Sequence, residues 1–358
     1  MLAAEHADAA EAAYSPSPVV IRAVVAAGFA RHCVPLRLGG PGGTFAELKE
    51  AATIIGAECP ATAWCAVVMA LMARTAGYLS PDGRRQLWGA GPDVFIAGGV
   101  APRGTAESAN GGWLLSGVWP LVSGCEHADW VLLSATATED NATTVRMFVV
   151  PCAAVGIEAT WDDVGMCATG SHSVVVDQVF VPVWMSFPYA MVTEVDAPAP
   201  GPDGRAVPML AVNSLLFCLP MLGAARGALA QWARLIQPKL RDRPPGTDPV
   251  LAHLREVFAR SSGEIDAAEL ILDRVVGIAD TAAQVGQADV VRNQRDCALA
   301  ADLLITAVDR LMRSSGTKGH SARGGLQRLW RDIHTAGGHA ALQFGPAAVG
   351  YSRENLER

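Results

Sequence analysis

Asn110-Gly111 sits between two runs that alternate apolar and polar residues, Thr105–Ser108 and Trp113–Val118, and no other feature constrains this chain more. A two-residue link of this type closes a β-hairpin, because both central positions tolerate positive φ. Further runs follow, VLLSA, VRMFVVP and SVVVDQVFVP, with Gly, Asn and Asp between them. Period-two alternation broken by turn residues predicts a small antiparallel sheet. Between the strands lie Leu121–Gly124 and Gly165–Ser173, short polar segments rich in Ser, Thr and Gly. Such residues let the backbone approach a flat ligand and offer it N–H and hydroxyl groups.

Helical patterns flank the sheet on both sides. Ala46–Ala57 and Ala61–Leu79 are rich in Ala, Leu, Met and Val, with Pro60 and Pro81 as boundaries. Thr44 is an N-cap with Glu47 as its capping-box partner. Pro188–Pro208 reads as a surface connection from its Pro, Gly and Asp content. Beyond it, Met209–Leu235 is apolar and small-residue rich and predicts close helix packing. Asp248-Pro249 opens another helix, with Leu251, Leu254, Phe258, Ile265, Leu272 and Val276 along one face. Ala288–Met312 and Gln327–Phe344 complete the set. Helices, then strands, then helices is an α+β order. It divides the chain into an N-terminal helical domain (1–92), a middle β-domain (93–188), a linker (189–208) and a C-terminal helical domain (209–358).

Several functions are excluded. A net charge of −7 argues against nucleic acid, whose phosphates require a basic face. The eight Cys show no paired spacing, which fits reduced thiols in a cytoplasm. The first residues carry acids and no basic segment, unlike a secretory signal, and no run of the ~18 residues needed to span a bilayer is purely apolar and uncharged. His and Cys never take metal-ligand spacing, so no metal is expected. There is no GxSxG elbow and no dinucleotide fingerprint. The Gly39–Gly43 cluster lacks the strand–GxGxxG–helix context of a phosphate loop.

Four segments, Leu38–Leu48, Ser116–Trp130, Gly165–Pro182 and Leu326–Ala340, occur in an order and spacing that resembles the acyl-CoA dehydrogenase superfamily. They are most similar to its branch of two-component, reduced-flavin monooxygenases. The resemblance implies an N-terminal α-helical domain, a middle antiparallel β-barrel and a C-terminal four-helix bundle that mediates tetramer formation. It also implies a reduced flavin (FMN or FAD) delivered by a separate reductase, O2 as co-substrate, and a small organic molecule oxygenated at carbon, nitrogen or sulfur.

Site residues carried over by the resemblance are as follows. Trp119, Val122, Ser123 and Gly124 run along the flavin ring, with the Ser123 hydroxyl at N5. Thr169, Gly170 and Ser171 meet the ring edge or the phosphate. Arg331 and Asp332 hold the last helix beside the flavin, and His339 faces the reacting region, as a hydrogen-bonding group or a proton acceptor. Lys318, Arg323 and Arg328 could meet a phosphate or solvent. Read without the resemblance, Ser123 is a turn serine, Trp119 a core residue and His339 a helix histidine. Two departures stand out: Cys167 replaces a frequent Arg, and no His follows Ala63-Trp64, where phenol hydroxylases of the branch carry one. Phenolate activation by that His is therefore not expected. A dehydrogenase reading would need an acidic base. No acid lies between Asp332 and Arg353, which leaves Glu256, Glu264 and Glu269 on an earlier helix. A member that kept the fold without redox turnover is the third reading.

Overall fold

The computed structural model describes residues 2–139, 142–196, 207–241, 249–282, 284–322 and 324–357. Five helices come first: α1 (Leu2–Ala13), α2 (Pro18–Ala26), α3 (Phe45–Gly56), α4 (Pro60–Ala76) and α5 (Pro81–Trp88). Thr44 caps α3 as expected, its Oγ1 accepting from Glu47 N at 3.1 Å while the Glu47 carboxylate accepts from Thr44 N at 2.8 Å. Pro60 and Pro81 each open a helix, where a missing N–H costs nothing. Every residue of α4 is buried, so this helix is apolar all round rather than amphipathic.

The sheet has seven strands: β1 (Ile96–Ala109), β2 (Gly112–Val122), β3 (Trp130–Glu139), β4 (Ala142–Pro151), β5 (Gly156–Glu158), β6 (His172–Pro182) and β7 (Ser186–Pro188), in the order β5-β6-β2-β1-β3-β4-β7. The hairpin forms where expected, with Ala109 opposite Gly112, though only Gly111 takes positive φ. The sheet is mixed rather than antiparallel throughout, because β1 and β3 run parallel. The free edge of β2 is taken by β6, so the chain leaving β2 crosses the start of β1 and pairs on its far side. Asp129 pins that crossing: its carboxylate accepts from Phe95 N, and its own N–H donates to Phe95 O, both at 2.9 Å.

After the short α6 (Ala190–Thr193) come α7 (Met209–Arg241), α8 (Pro249–Thr281), α9 (Gln287–Ser314), α10 (Gly325–Gly337) and α11 (Phe344–Leu356). Helix α7 is long and apolar enough to cross a membrane, but 83% of its most apolar window is buried, against α3, α4, α8, α9 and α10. The predicted face of α8 holds except at Phe258, which is 45% exposed and stacks on Trp232. Gln327–Phe344 is not one helix. The Gly337-Gly338 pair, the poorest helix formers short of Pro, ends α10, and the chain turns before α11. Asp248 and Arg323 lie outside the described residues.

Candidate active site

Two loops build the site. One spans the end of β2, where Leu121 and Gly124 take left-handed backbone at φ 62° and 70° around Val122-Ser123. The other precedes β6, where Met166 and Gly170 do the same at φ 55° and 53°. A left-handed backbone is uncommon for Leu and Met, and such strain persists only where the surroundings impose it. The register places Val122 opposite His172, and Gly124 N donates to Thr169 O at 2.8 Å, so the loops lie side by side.

Their hydroxyls form one buried chain. Ser123 Oγ lies 2.8 Å from Ser171 Oγ, Ser171 Oγ lies 2.7 Å from Thr169 Oγ1, and Thr169 Oγ1 donates to Met166 O at 2.9 Å. Trp64, from the buried helix α4, donates its Nε1–H to Ser123 Oγ at 3.2 Å. The Trp64 ring meets Phe217 of α7 at 4.8 Å between centroids and the edge of His339 at 5.6 Å, and Phe217 and His339 lie 3.9 Å apart. Ser123 and His339, 216 positions apart in the chain, are therefore brought together through Trp64.

His339 occupies the turn after α10, and its Nδ1 accepts from Ala341 N at 3.2 Å. Burial among the aromatic rings pushes its pKa down to about 4, so the imidazole is neutral at pH 7. His334 faces another way, with Nε2 2.9 Å from Asp309 Oδ1 and its ring against Trp330. Asp332 ties the second loop to α10: its buried carboxylate accepts from Met166 N at 2.6 Å, and desolvation raises its pKa to about 6.

Other expected residues have different work. Trp119 is 1% exposed, its indole packed over Gly99 and Gly104 with Nε1–H donating to Ser134 O at 2.8 Å, so its side chain belongs to the core. The Val122 side chain is also fully buried. A Cβ on Gly124 would strike Phe95, and one on Gly170 would strike Pro16, so protein fills the space that these glycines leave. Arg331 pairs with Glu11 of α1 and donates to Val164 O, and Arg328 pairs with Asp8. Both guanidiniums are neutralised by the N-terminal helix and hold it in place. His127 orders the same segment through Pro16 O, 2.9 Å from its Nε2. Cys167 is buried with its thiol toward Asp163 O, and burial raises its pKa. The three candidate dehydrogenase acids are committed elsewhere: Glu256 to Arg260, Glu264 to Arg310, Glu269 to Lys49 and Arg226. A separate cavity of about 590 Å³, lined by Arg37, Arg84 and Trp88, shares no residue with the hydroxyl–aromatic cluster.

The cluster suits a planar heteroaromatic ring. It offers one acceptor lone pair on Ser123, a neutral imidazole and the Trp64–Phe217 ring pair, the kinds of group that meet the N5 hydrogen and the faces of a reduced flavin ring. Phe217 carried no sequence signal, being one apolar residue within an apolar run.

Residues 215–344 match the family model described as acyl-CoA dehydrogenase, C-terminal domain. The chain is 31% identical over 347 residues to the oxygenase component of an FADH(2)-dependent resorcinol hydroxylase from Rhizobium sp. (strain MTP-10005), covering 90% of this chain and 84% of that one. It is 28% identical over 337 residues to the oxygenase subunit HsaA of a flavin-dependent monooxygenase from Rhodococcus jostii, covering 90% and 86%. Among solved structures, a 3-HSA hydroxylase from Rhodococcus sp. RHA1 superposes with a TM-score of 0.92 at 26% identity, over 99% of this chain and 94% of that one. XiaF from Streptomyces sp., solved with FADH2 and glycerol, superposes with a TM-score of 0.86 at 25% identity, over 99% and 92%. The chain belongs to the flavin-dependent monooxygenase oxygenase components that share the acyl-CoA dehydrogenase fold.

Proposed function

We propose that this protein is the oxygenase of a two-component system, which takes reduced FMN or FAD from a separate reductase and uses O2 to oxygenate a small aromatic or heteroaromatic molecule. The observation that carries this reading is the joining of the Ser123 hydroxyl to His339 through Trp64 within a chain related over most of its length to such oxygenases. The reduced flavin, when bound, supplies the electrons that O2 requires. Ser123 orients the ring at N5, with Thr169 and Ser171 behind it. His339, neutral at pH 7 with Nδ1 accepting from Ala341 N, carries its hydrogen on Nε2 and donates it to the reacting group. Trp64 and Phe217 wall the site and exclude water from it. The absence of a first-domain His after Trp64 supports substrates other than phenols that need such a base.

Residues 1–92, 93–188 and 209–358 correspond in this reading to the family's helical domain, barrel and four-helix bundle, with 189–208 as the linker. Exposed Leu270, Leu299, Phe344, Val349 and Leu356 on the C-terminal helices support self-association there, as a homotetramer, and free thiols support a cytoplasmic setting. The test is to bind reduced FMN or FAD anaerobically, mix with O2, and follow the flavin spectrum in a stopped-flow instrument. The proposal expects a transient absorbance, distinct from reduced and oxidised flavin, that free flavin does not show. Reoxidation indistinguishable from free flavin would refute it.

A further inference from the structure

The protons of the buried hydroxyl chain can be assigned, and the assignment fixes what Ser123 offers to a ligand. A carbonyl oxygen cannot donate, so the 2.9 Å contact between Thr169 Oγ1 and Met166 O consumes the Thr169 proton. With that proton spent, the 2.7 Å contact between Thr169 and Ser171 takes its proton from Ser171. The 2.8 Å contact between Ser171 and Ser123 then takes its proton from Ser123. At the other end the Trp64 indole, which is only a donor, occupies one Ser123 lone pair at 3.2 Å. Every proton points the same way, from Trp64 through Ser123, Ser171 and Thr169 to the Met166 carbonyl. All three hydroxyl residues are at least nine-tenths buried, so water does not readily reset the order.

Ser123 is left with one lone pair and no free proton. We infer that Ser171 and Thr169 are positioning residues which make Ser123 an obligate acceptor, so that the site selects reduced flavin, whose N5 carries a hydrogen, over oxidised flavin, whose N5 presents a lone pair. This rests on the reading above that Ser123 meets N5. Two facing lone pairs in a buried site forfeit a hydrogen bond on both partners, which corresponds to about 10- to 100-fold in affinity. The preference is useful to an oxygenase fed by a separate reductase, because the oxidised cofactor leaves after turnover and does not compete with its replacement.

The test is anaerobic binding of FMN and of FAD, each oxidised and dithionite-reduced, to the full chain and to Thr169→Val, Thr169→Ser and Ser171→Ala, with circular dichroism as the check on folding. In the unaltered protein the reduced form should bind about 10-fold or more tightly than the oxidised form. Thr169→Val removes the end of the proton chain and lets Ser171 and Ser123 reverse, so the ratio should collapse to within about 3-fold, mostly through tighter binding of oxidised flavin. Ser171→Ala frees the Ser123 proton and should do the same, whereas Thr169→Ser should restore the ratio. A ratio unchanged in both Thr169→Val and Ser171→Ala, with flavin still bound, would overturn the relay while leaving the flavin site intact. Failure of both redox forms to bind the unaltered protein would instead overturn the site reading, and the relay with it.

Discussion

Replacing Asp332 tests how the second loop is held against α10. Its carboxyl is 4% exposed, accepts from Met166 N at 2.6 Å, and has Glu11, Arg328 and Arg331 around it, with a pKa raised to about 6 chiefly by burial. In the unfolded chain the ordinary value is 3.8, and the gap, at about 1.36 kcal/mol per pH unit, makes the ionised group cost about 3 kcal/mol of stability at pH 7. The sign follows from proton uptake. Between about 6 and 3.8 the folded protein holds a proton that the unfolded chain releases, so this group's contribution to stability improves as pH falls through that window. Asp332→Asn keeps an acceptor for Met166 N without the charge and should be more stable than the unaltered protein at pH 7, by about 1–3 kcal/mol. The advantage should shrink by about 1 kcal/mol at pH 5. Asp332→Ala, also uncharged, leaves the Met166 N–H buried without a partner beside a left-handed backbone and should be about 2–3 kcal/mol less stable than Asp332→Asn. Urea unfolding at both pH values reads all three. A less stable Asp332→Asn at pH 7, or a gap indifferent to pH, would refute the reasoning.

Other predictions are shorter. Ser123→Ala should still fold but, by leaving the buried Trp64 Nε1–H without its acceptor, should lose about 1–3 kcal/mol, and it should raise release of hydrogen peroxide relative to product. His339→Asn should lose product formation by about 100-fold or more, whereas His334→Asn, whose imidazole is held by Asp309, should lose little; equal losses would place the active histidine wrongly. The His339 ring, with a pKa pushed down to about 4, should show no NMR titration between pH 8 and 5.5. Because the unfolded chain takes up that proton near 6.5, its contribution to stability should decline as pH falls below 6.5.

What the sequence made legible was local. The Asn110-Gly111 turn, the Thr44–Glu47 cap and the prolines at Pro60 and Pro81 act within a few residues of themselves, and the structure bears them out. Pairings between distant segments were not legible. The parallel β1–β3 ladder depends on which strand edge remains free after β6 has docked, which no local pattern encodes. The same holds for Arg331, whose partner Glu11 lies 320 positions earlier on a helix that carried no site signal. His339 was singled out by its motif alone; the break in α10 that aims it at Phe217 and Trp64 became visible only with the packing.

The central claim is that Ser123, Trp64 and His339 face a bound flavin, and a crystal structure of the protein with anaerobically reduced FMN or FAD tests it most directly. The account predicts flavin N5 within hydrogen-bonding distance of Ser123 Oγ and the ring bounded by Trp64 and His339. A flavin seated elsewhere, such as the Arg37–Trp88 cavity, with Ser123 turned away from it, would contradict the account.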